Sequence, residues 1–204
     1  MAEAKAVQRV EGFQMKYEVK FYSGDYINRQ RAANADGAIC YVEQHFNSSA
    51  SPTSNYALVV VGSNASKTSK RWGTYLAKAY GTAFNIPHFG SEGIAIGGID
   101  GRGNSNLKYT KMPAVLLEPV FCSSYCGSGI LRSPQGRKQL ASVLVKSIKK
   151  VFPDGGLVAF SIGHKGKVSN PFDMGALVLG GGTEAEYAEI VLKTAAEMLE
   201  KEEV

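Results

Sequence analysis

Cysteine, histidine and tryptophan are scarce in this chain, and each scarcity removes a class of explanation. Three cysteines, Cys40, Cys122 and Cys126, in 204 residues are too few, and odd in number, for a disulfide framework, and they fit a reducing compartment. Cys122 and Cys126 form a C-x3-C pair without further ligands at matching spacing, a weak zinc signal, with a nucleophile pair as the alternative. No apolar run approaches the roughly eighteen residues that a membrane span needs, so stable membrane insertion is not expected. The opening segment, MAEAKAVQRVEGF, is polar and lacks the apolar stretch of a secretory signal, so synthesis in the cytoplasm without a signal peptide is expected. No internal repeat, low-complexity tract or interdomain linker is visible. HExxH is absent, and Gly97 to Gly103 lacks the strand-glycine-helix setting of a dinucleotide or phosphate loop.

What is present is the composition of a folded domain. Hydrophobic residues make up 44% and charged residues 20%, which excludes a disordered chain and suits one domain spanning residues 1–204. The formal net charge of +5 favours polyanionic partners: nucleic acid, anionic wall polymers or membrane surfaces. Lysines and arginines are scattered rather than clustered, so charge alone does not choose among them.

Periodicity predicts strands alternating with helices. Tyr17 to Tyr22 alternates apolar and polar residues, Ala38 to Val42 and Ala57 to Val61 are apolar runs, and so are Pro113 to Glu118 and Leu157 to Ile162. Asn28 to Ala35 is a polar helical segment. Ser69 to Tyr80 carries Trp72, Leu76 and Tyr80 at helical spacing, with Gly81 at the expected C-cap and Trp72 as a core residue. Ser133-Pro134 opens a helix reaching Phe152, with Leu140, Val143, Leu144 and Ile148 on one face. Thr183 and Glu186 form a capping box for a last helix reaching about Glu200, whose core face is expected to be Tyr187, Val191, Thr194, Ala195 and Met198. Residues 85–106 read as an irregular, glycine-bearing surface loop containing His88, of the kind that is often functional. The pattern predicts an α/β domain with a mostly parallel twisted sheet and helices on both faces.

Open sheets of this class bind ligands beyond the carboxyl ends of their strands. Three apolar runs end in reactive side chains, His45, Glu118 and His164, and Glu184 opens the final helix. Each alone has an ordinary structural explanation. Together, two histidines and one glutamate are a catalytic zinc set that leaves a coordination position open, and a second glutamate supplies a proton acceptor.

The stretch Met112-Pro113-Ala114-Val115-Leu116-Leu117-Glu118, followed by Phe121, resembles the PAVLVE-x-GF strand of the zinc N-acetylmuramoyl-L-alanine amidases. Arg137 to Val151 resembles the helix that follows it. Arg31-Ala32-Ala33-Asn34-Ala35-Asp36 with His45-Phe46-Asn47 resembles the family's R…AN…AD…SIHAN stretch, and Ser69 to Ala79 its S…LA helix. The family's opening strand, D-x-GHGG…D-x-GA…E, is missing at the N-terminus. Its likeness comes last instead, as Ser161-Ile162-Gly163-His164-Lys165-Gly166, Asp173-Met174-Gly175-Ala176 and Glu184. The resemblance therefore implies a circularly permuted amidase. Residues 1–152 correspond to the family's C-terminal part and 157–200 to its N-terminal part, with the old ends joined through Pro153 to Gly156.

Carried over by position, the resemblance implies zinc held by His45, His164 and Glu184, with Glu118 as the catalytic carboxylate. Glu186 is a rival third ligand, and Glu184 fits the spacing to the family helix better. Ser161 stands where an aspartate is common, Lys165 replaces a glycine, Glu43-Gln44 replaces a small polar pair, and Pro119-Val120 also departs. These changes bear on what supports the second ring nitrogen of each histidine more than on ligation. The implied activity is hydrolysis of the amide between N-acetylmuramic acid and L-alanine. The implied partner is peptidoglycan rather than nucleic acid. Without a signal peptide, a monomeric phage-type endolysin reaching the wall after lysis is the expected agent, with a non-classical export route as the alternative. The alternatives are a catalytically silent peptidoglycan-binding relative and a metallopeptidase acting elsewhere in the stem peptide.

Overall fold

The apolar runs become the strands of one six-stranded sheet in the computed structural model, which describes residues 16–201. The N-terminal segment read above for a signal lies outside these residues. The strands are β1 (Tyr17–Phe21), β2 (Cys40–Gln44), β3 (Leu58–Val61), β4 (Ile94–Ile96), β5 (Ala114–Glu118) and β6 (Gly156–Ile162), in the spatial order β1-β6-β2-β5-β3-β4. β1 with β6, β6 with β2, β2 with β5 and β3 with β4 pair in parallel, whereas β3 pairs antiparallel to β5. Every residue of β2 and β3 is buried, as expected of strands covered on both faces.

Five helices complete the layers: α1 (Tyr26–Ala35), α2 (Lys67–Phe84), α3 (Tyr125–Arg132), α4 (Pro134–Val151) and α5 (Glu184–Glu200). On one face, Trp72 and Leu76 of α2, Leu140 of α4 and Val191 of α5 pack against Val42, Val115 and Phe160. The other face is covered more thinly. There Tyr41, Val60 and Leu116 meet Ala33 of α1 and Leu107, next to a short 3-10 turn at Asn104–Asn106. Truncating a fully buried leucine in such a layer, Leu140 for example, typically costs about 2–5 kcal/mol.

Helix starts follow the caps read from sequence. The Ser133 hydroxyl accepts from the Gly136 amide, and Pro134 occupies the first turn, where its missing N–H costs nothing. Thr183 accepts from the Glu186 amide while the Glu186 carboxylate accepts from the Thr183 amide, so the capping box is complete.

Four local expectations needed correction. α2 runs past Gly81 and ends at Asn85, which takes the left-handed conformation (φ 50°) and returns its amide to the Gly81 carbonyl. Helix α3 was not foreseen, because only eight residues separate Ser124 from Ser133 and three of them are small. The loop over residues 85–106 contains β4, which pairs with β3. On α5 the inward face is Ala188, Val191, Leu192, Ala195 and Leu199, while Thr194 and Met198 are only partly covered. Apolar residues on more than one side of that helix left its rotation open, and packing on α4 and β1 fixes it.

Candidate metal centre

The sheet order brings three strand ends side by side. β6, β2 and β5 are neighbours running in the same direction, so His164 just beyond β6, His45 just beyond β2 and Glu118 at the end of β5 emerge on one edge. Glu184 is the first residue of α5, where the positive end of the helix favours a carboxylate. Two glycines let the pieces approach. A Cβ on Gly163 would lie 2.6 Å from ring atoms of His45, and one on Gly175 would lie 2.6 Å from Glu184 Oε2. His164 itself has φ 64° and sits at the centre of a tight turn closed by the Lys165 amide donating to the Gly163 carbonyl at 2.7 Å. A left-handed histidine is a strained conformation of the kind that persists at functional sites.

One ligand atom each from His45, His164 and Glu184 lie within 4.8 Å of one another, close enough to share a metal ion. His45 Nδ1 is 2.9 Å and His164 Nε2 3.2 Å from Glu184 Oε1. The glutamate is further held by the amides of Phe46 (3.2 Å) and Ala176 (3.1 Å). Each histidine's other nitrogen also has a carboxylate partner. His45 Nε2 is 3.0 Å from Glu43 Oε1, and His164 Nδ1 is 2.9 Å from Asp173 Oδ1. Imidazole nitrogens turned inward, each backed by a carboxylate on the opposite nitrogen, match the chemistry of a zinc ligand set.

The charges reinforce one another. Burial works against a charged His45, but its hydrogen bonds to Glu184 and Glu43 outweigh burial and raise its pKa to about 10. His164 is also raised, against burial, by Glu184 and Asp173. Burial would lift Glu184, yet the two histidines bring it far below the usual carboxylate range. Glu118 goes the other way. Burial raises it, Glu184 adds to the rise, and His45, Arg102 and His164 oppose it. A carboxylate raised above its ordinary pKa beside an imidazole cluster is suited to accepting and returning a proton.

All four predicted residues line one open cleft of about 450 Å³, together with Tyr26, Asn47, Arg102, Asn106 and Lys167. Glu186, the rival ligand, is spent on the cap of α5. Cys122 is buried, Cys126 exposed and neither is paired. His88 is half-buried beside Ala57, outside the cleft lining, and Trp72 is fully buried in the core. The loop over residues 85–106 does reach the site, through Arg102 and Asn106.

Sequence reasoning missed Glu43, Arg29 and Asn106, and gave Asp173 no role. Glu43 is two residues from His45 on the same strand, and side chains two apart in a strand share a face, so that spacing was the available signal. Nothing local pointed to Arg29 or Asn106, which come from α1 and the 3-10 turn.

The sequence model of a family described as N-acetylmuramoyl-L-alanine amidase, Amidase_3, matches residues 9–150. The chain belongs to this amidase family. The matched span holds His45 and Glu118 and ends before His164 and Glu184. Solved amidase structures share the fold. The catalytic domain of CwlV, an N-acetylmuramoyl-L-alanine amidase from Bacillus (Paenibacillus) polymyxa var. colistinus, is 23% identical with a TM-score of 0.52, covering 63% of this chain and 66% of that one. Ami1 from Mycobacterium smegmatis is 21% identical with a TM-score of 0.53, covering 62% of this chain and 59% of that one. The N-acetylmuramoyl-L-alanine amidase of Clostridium difficile 630 is 17% identical with a TM-score of 0.53, covering 63% and 66%. This amidase-family chain thus spans less than two thirds of the length of the solved structures it matches. No curated protein sequence matches it.

Proposed function

We propose that this chain is a zinc-dependent amidase that hydrolyses the bond between N-acetylmuramic acid and L-alanine in peptidoglycan. The observation that supports it most is the convergence of His45, His164 and Glu184 on one point, within a cleft that also contains Glu118. Zinc, when bound, supplies Lewis acidity that brings the ionisation of water to about pH 7 and polarises a carbonyl. His45, His164 and Glu184 are the residues that would hold it, and no described side chain besides these is needed. Glu118 takes a proton from the attacking water and returns it to the departing amine nitrogen as the amide carbon–nitrogen bond breaks. The net charge of +5 supports retention on an anionic wall, and the setting we propose is that of a phage-type endolysin. Among the described residues, no helix is long and apolar enough to cross a membrane.

We further propose that the chain is a circular permutation of its family. The approach of the last helix to the first strand supports this. The Val19 amide donates to Glu200 Oε1 at 3.1 Å, so α5 finishes beside β1 and a short linker would join them. The proposed junction, residues 153–156, is a turn between α4 and β6.

The deciding experiment follows isolated cell walls for turbidity loss and new L-alanine amino termini, with and without chelator. Chelator-sensitive release of those termini supports the reading. Binding without release would replace it with a silent wall-binding module, and termini at another residue would replace it with a peptidase. For the permutation, a variant reopened between Pro153 and Gly156, with the present ends linked, should fold and cleave. Its collapse across several linker lengths would overturn that topology.

A further inference from the structure

Two departures from the family pattern prove to be neighbours. Glu43 on β2 and Ser161 on β6 are register partners across the parallel ladder, and both are fully buried. Arg29 of α1, also fully buried, reaches them together. Its Nη1 donates to Ser161 Oγ at 2.7 Å and lies 3.5 Å from Glu43 Oε1. The Glu43 carboxylate also accepts from Tyr41 Oη at 3.0 Å and Asn106 Nδ2 at 2.5 Å, and faces His45 Nε2 at 3.0 Å. Its partners thus come from α1, its own strand and the 3-10 turn at the end of the glycine-bearing loop.

Such a network is poorly explained as a device for stability. Burying an arginine and a carboxylate generally gains no more than apolar packing of the same volume, because desolvation offsets the attraction. It does fix geometry. An acceptor held by two other hydrogen bonds and an ion pair cannot follow the imidazole if the ring turns. The ring therefore turns to meet the acceptor, and Nδ1 is left aimed at Glu184.

We propose that Glu43 is a positioning residue of the metal centre. It selects Nδ1 as the nitrogen with which His45 binds the cation, and Arg29 and Asn106 hold Glu43 in place for that task. This rests on the zinc reading above. It goes beyond that reading by placing on β2, at a position where the family pattern has a small polar residue, the carboxylate that orients the ligand.

The test pairs zinc affinity, measured by competition with a chromophoric chelator, with nitrogen-15 spectra of the His45 ring in the zinc-loaded protein. Glu43→Leu combined with Arg29→Met removes the buried charges together and so avoids stranding either one. The expected result is zinc binding weaker by about 10–100-fold, with Nδ1 coordination lost or mixed and circular dichroism unchanged. Glu43→Gln with Arg29→Met gives back a carbonyl acceptor and should recover most of the affinity, which a purely structural role would not require. Wild-type affinity and intact Nδ1 coordination in the Leu/Met protein would overturn the proposal. Should that protein fail to fold, Asn106→Ala is read instead. Weaker zinc binding with unchanged helix content supports the role, and unchanged binding overturns it. Wild-type protein that binds zinc tightly but releases no amino termini would overturn the amidase reading alone, whereas wild-type protein that binds no zinc would overturn both.

Discussion

The rings of His45 and His164 meet edge to face with their centroids 4.8 Å apart, although one follows the second strand in sequence and the other the sixth. Their strands are immediate neighbours in the sheet, so a pair remote in sequence becomes one unit with Glu184 between the two rings.

Replacing Glu118 with glutamine should separate chemistry from metal binding. Glu118 lines the cleft but is not part of the three-residue cluster, so zinc content should stay at the wild-type level. The rate of amino-terminus release should fall by about 10²–10⁴-fold. Metal analysis and product assay on the same preparation check both.

Removing the metal should give the fold a distinctive pH dependence. His45 and His164 are raised above their ordinary value in the folded chain, so they bind protons more tightly folded than unfolded. Their contribution to stability is complete below about pH 6.5 and is lost as pH rises toward about 10 for His45. Asp173, lowered to about 2, and Glu184, lowered further, contribute fully above about pH 4.3 and lose it as pH falls. Chelated protein should therefore melt highest between about pH 4.3 and 6.5. Zinc affinity should instead rise with pH, because the ligands must first lose their protons. Thermal melts across pH with and without zinc would show the two opposed trends.

Gly175→Ala should damage the centre without touching a ligand. The residue has φ +74°, and an added Cβ would lie 2.6 Å from Glu184 Oε2 and 2.7 Å from His164 Cδ2. A loss on the order of 1–3 kcal/mol in denaturant unfolding should be accompanied by weaker zinc binding.

Thr183→Ala should do the reverse. It removes the cap hydroxyl from α5 and should cost about 1 kcal/mol of stability. Glu184 remains anchored by the amides of Phe46 and Ala176, so zinc affinity should change little in the same chelator competition.

Arg102→Ala should shift the rate profile rather than abolish activity. Arg102 is exposed at the cleft, and its charge lowers the Glu118 pKa against the effect of burial. Without it Glu118 holds its proton to higher pH, so the acidic limb of the pH–rate curve should move upward. A profile superimposable on the wild type would show that the guanidinium does not act on Glu118.

Much of this molecule was legible in its sequence because the relevant signals are local. The capping box at Thr183 and Glu186, the Ser133-Pro134 helix start and the apolar runs of β3 and β5 depend on neighbours a few residues away, and they appear where they were read. His45, Glu118 and His164 were legible as reactive groups ending such runs and Glu184 as the opening of a helix, but only their resemblance to a family pattern joined them. The sequence could not disclose that Glu43, Arg29, Ser161 and Asn106 form one buried network, since these residues come from α1, β2, β6 and the 3-10 turn and carry no shared spacing. Nor could it give the rotation of α5, where nearly every turn offers an apolar residue to either side. Local chemistry decides where strands and helices begin. Strand order and packing decide which of their polar ends meet, because that depends on long-range contacts whose energy no short stretch of chain contains.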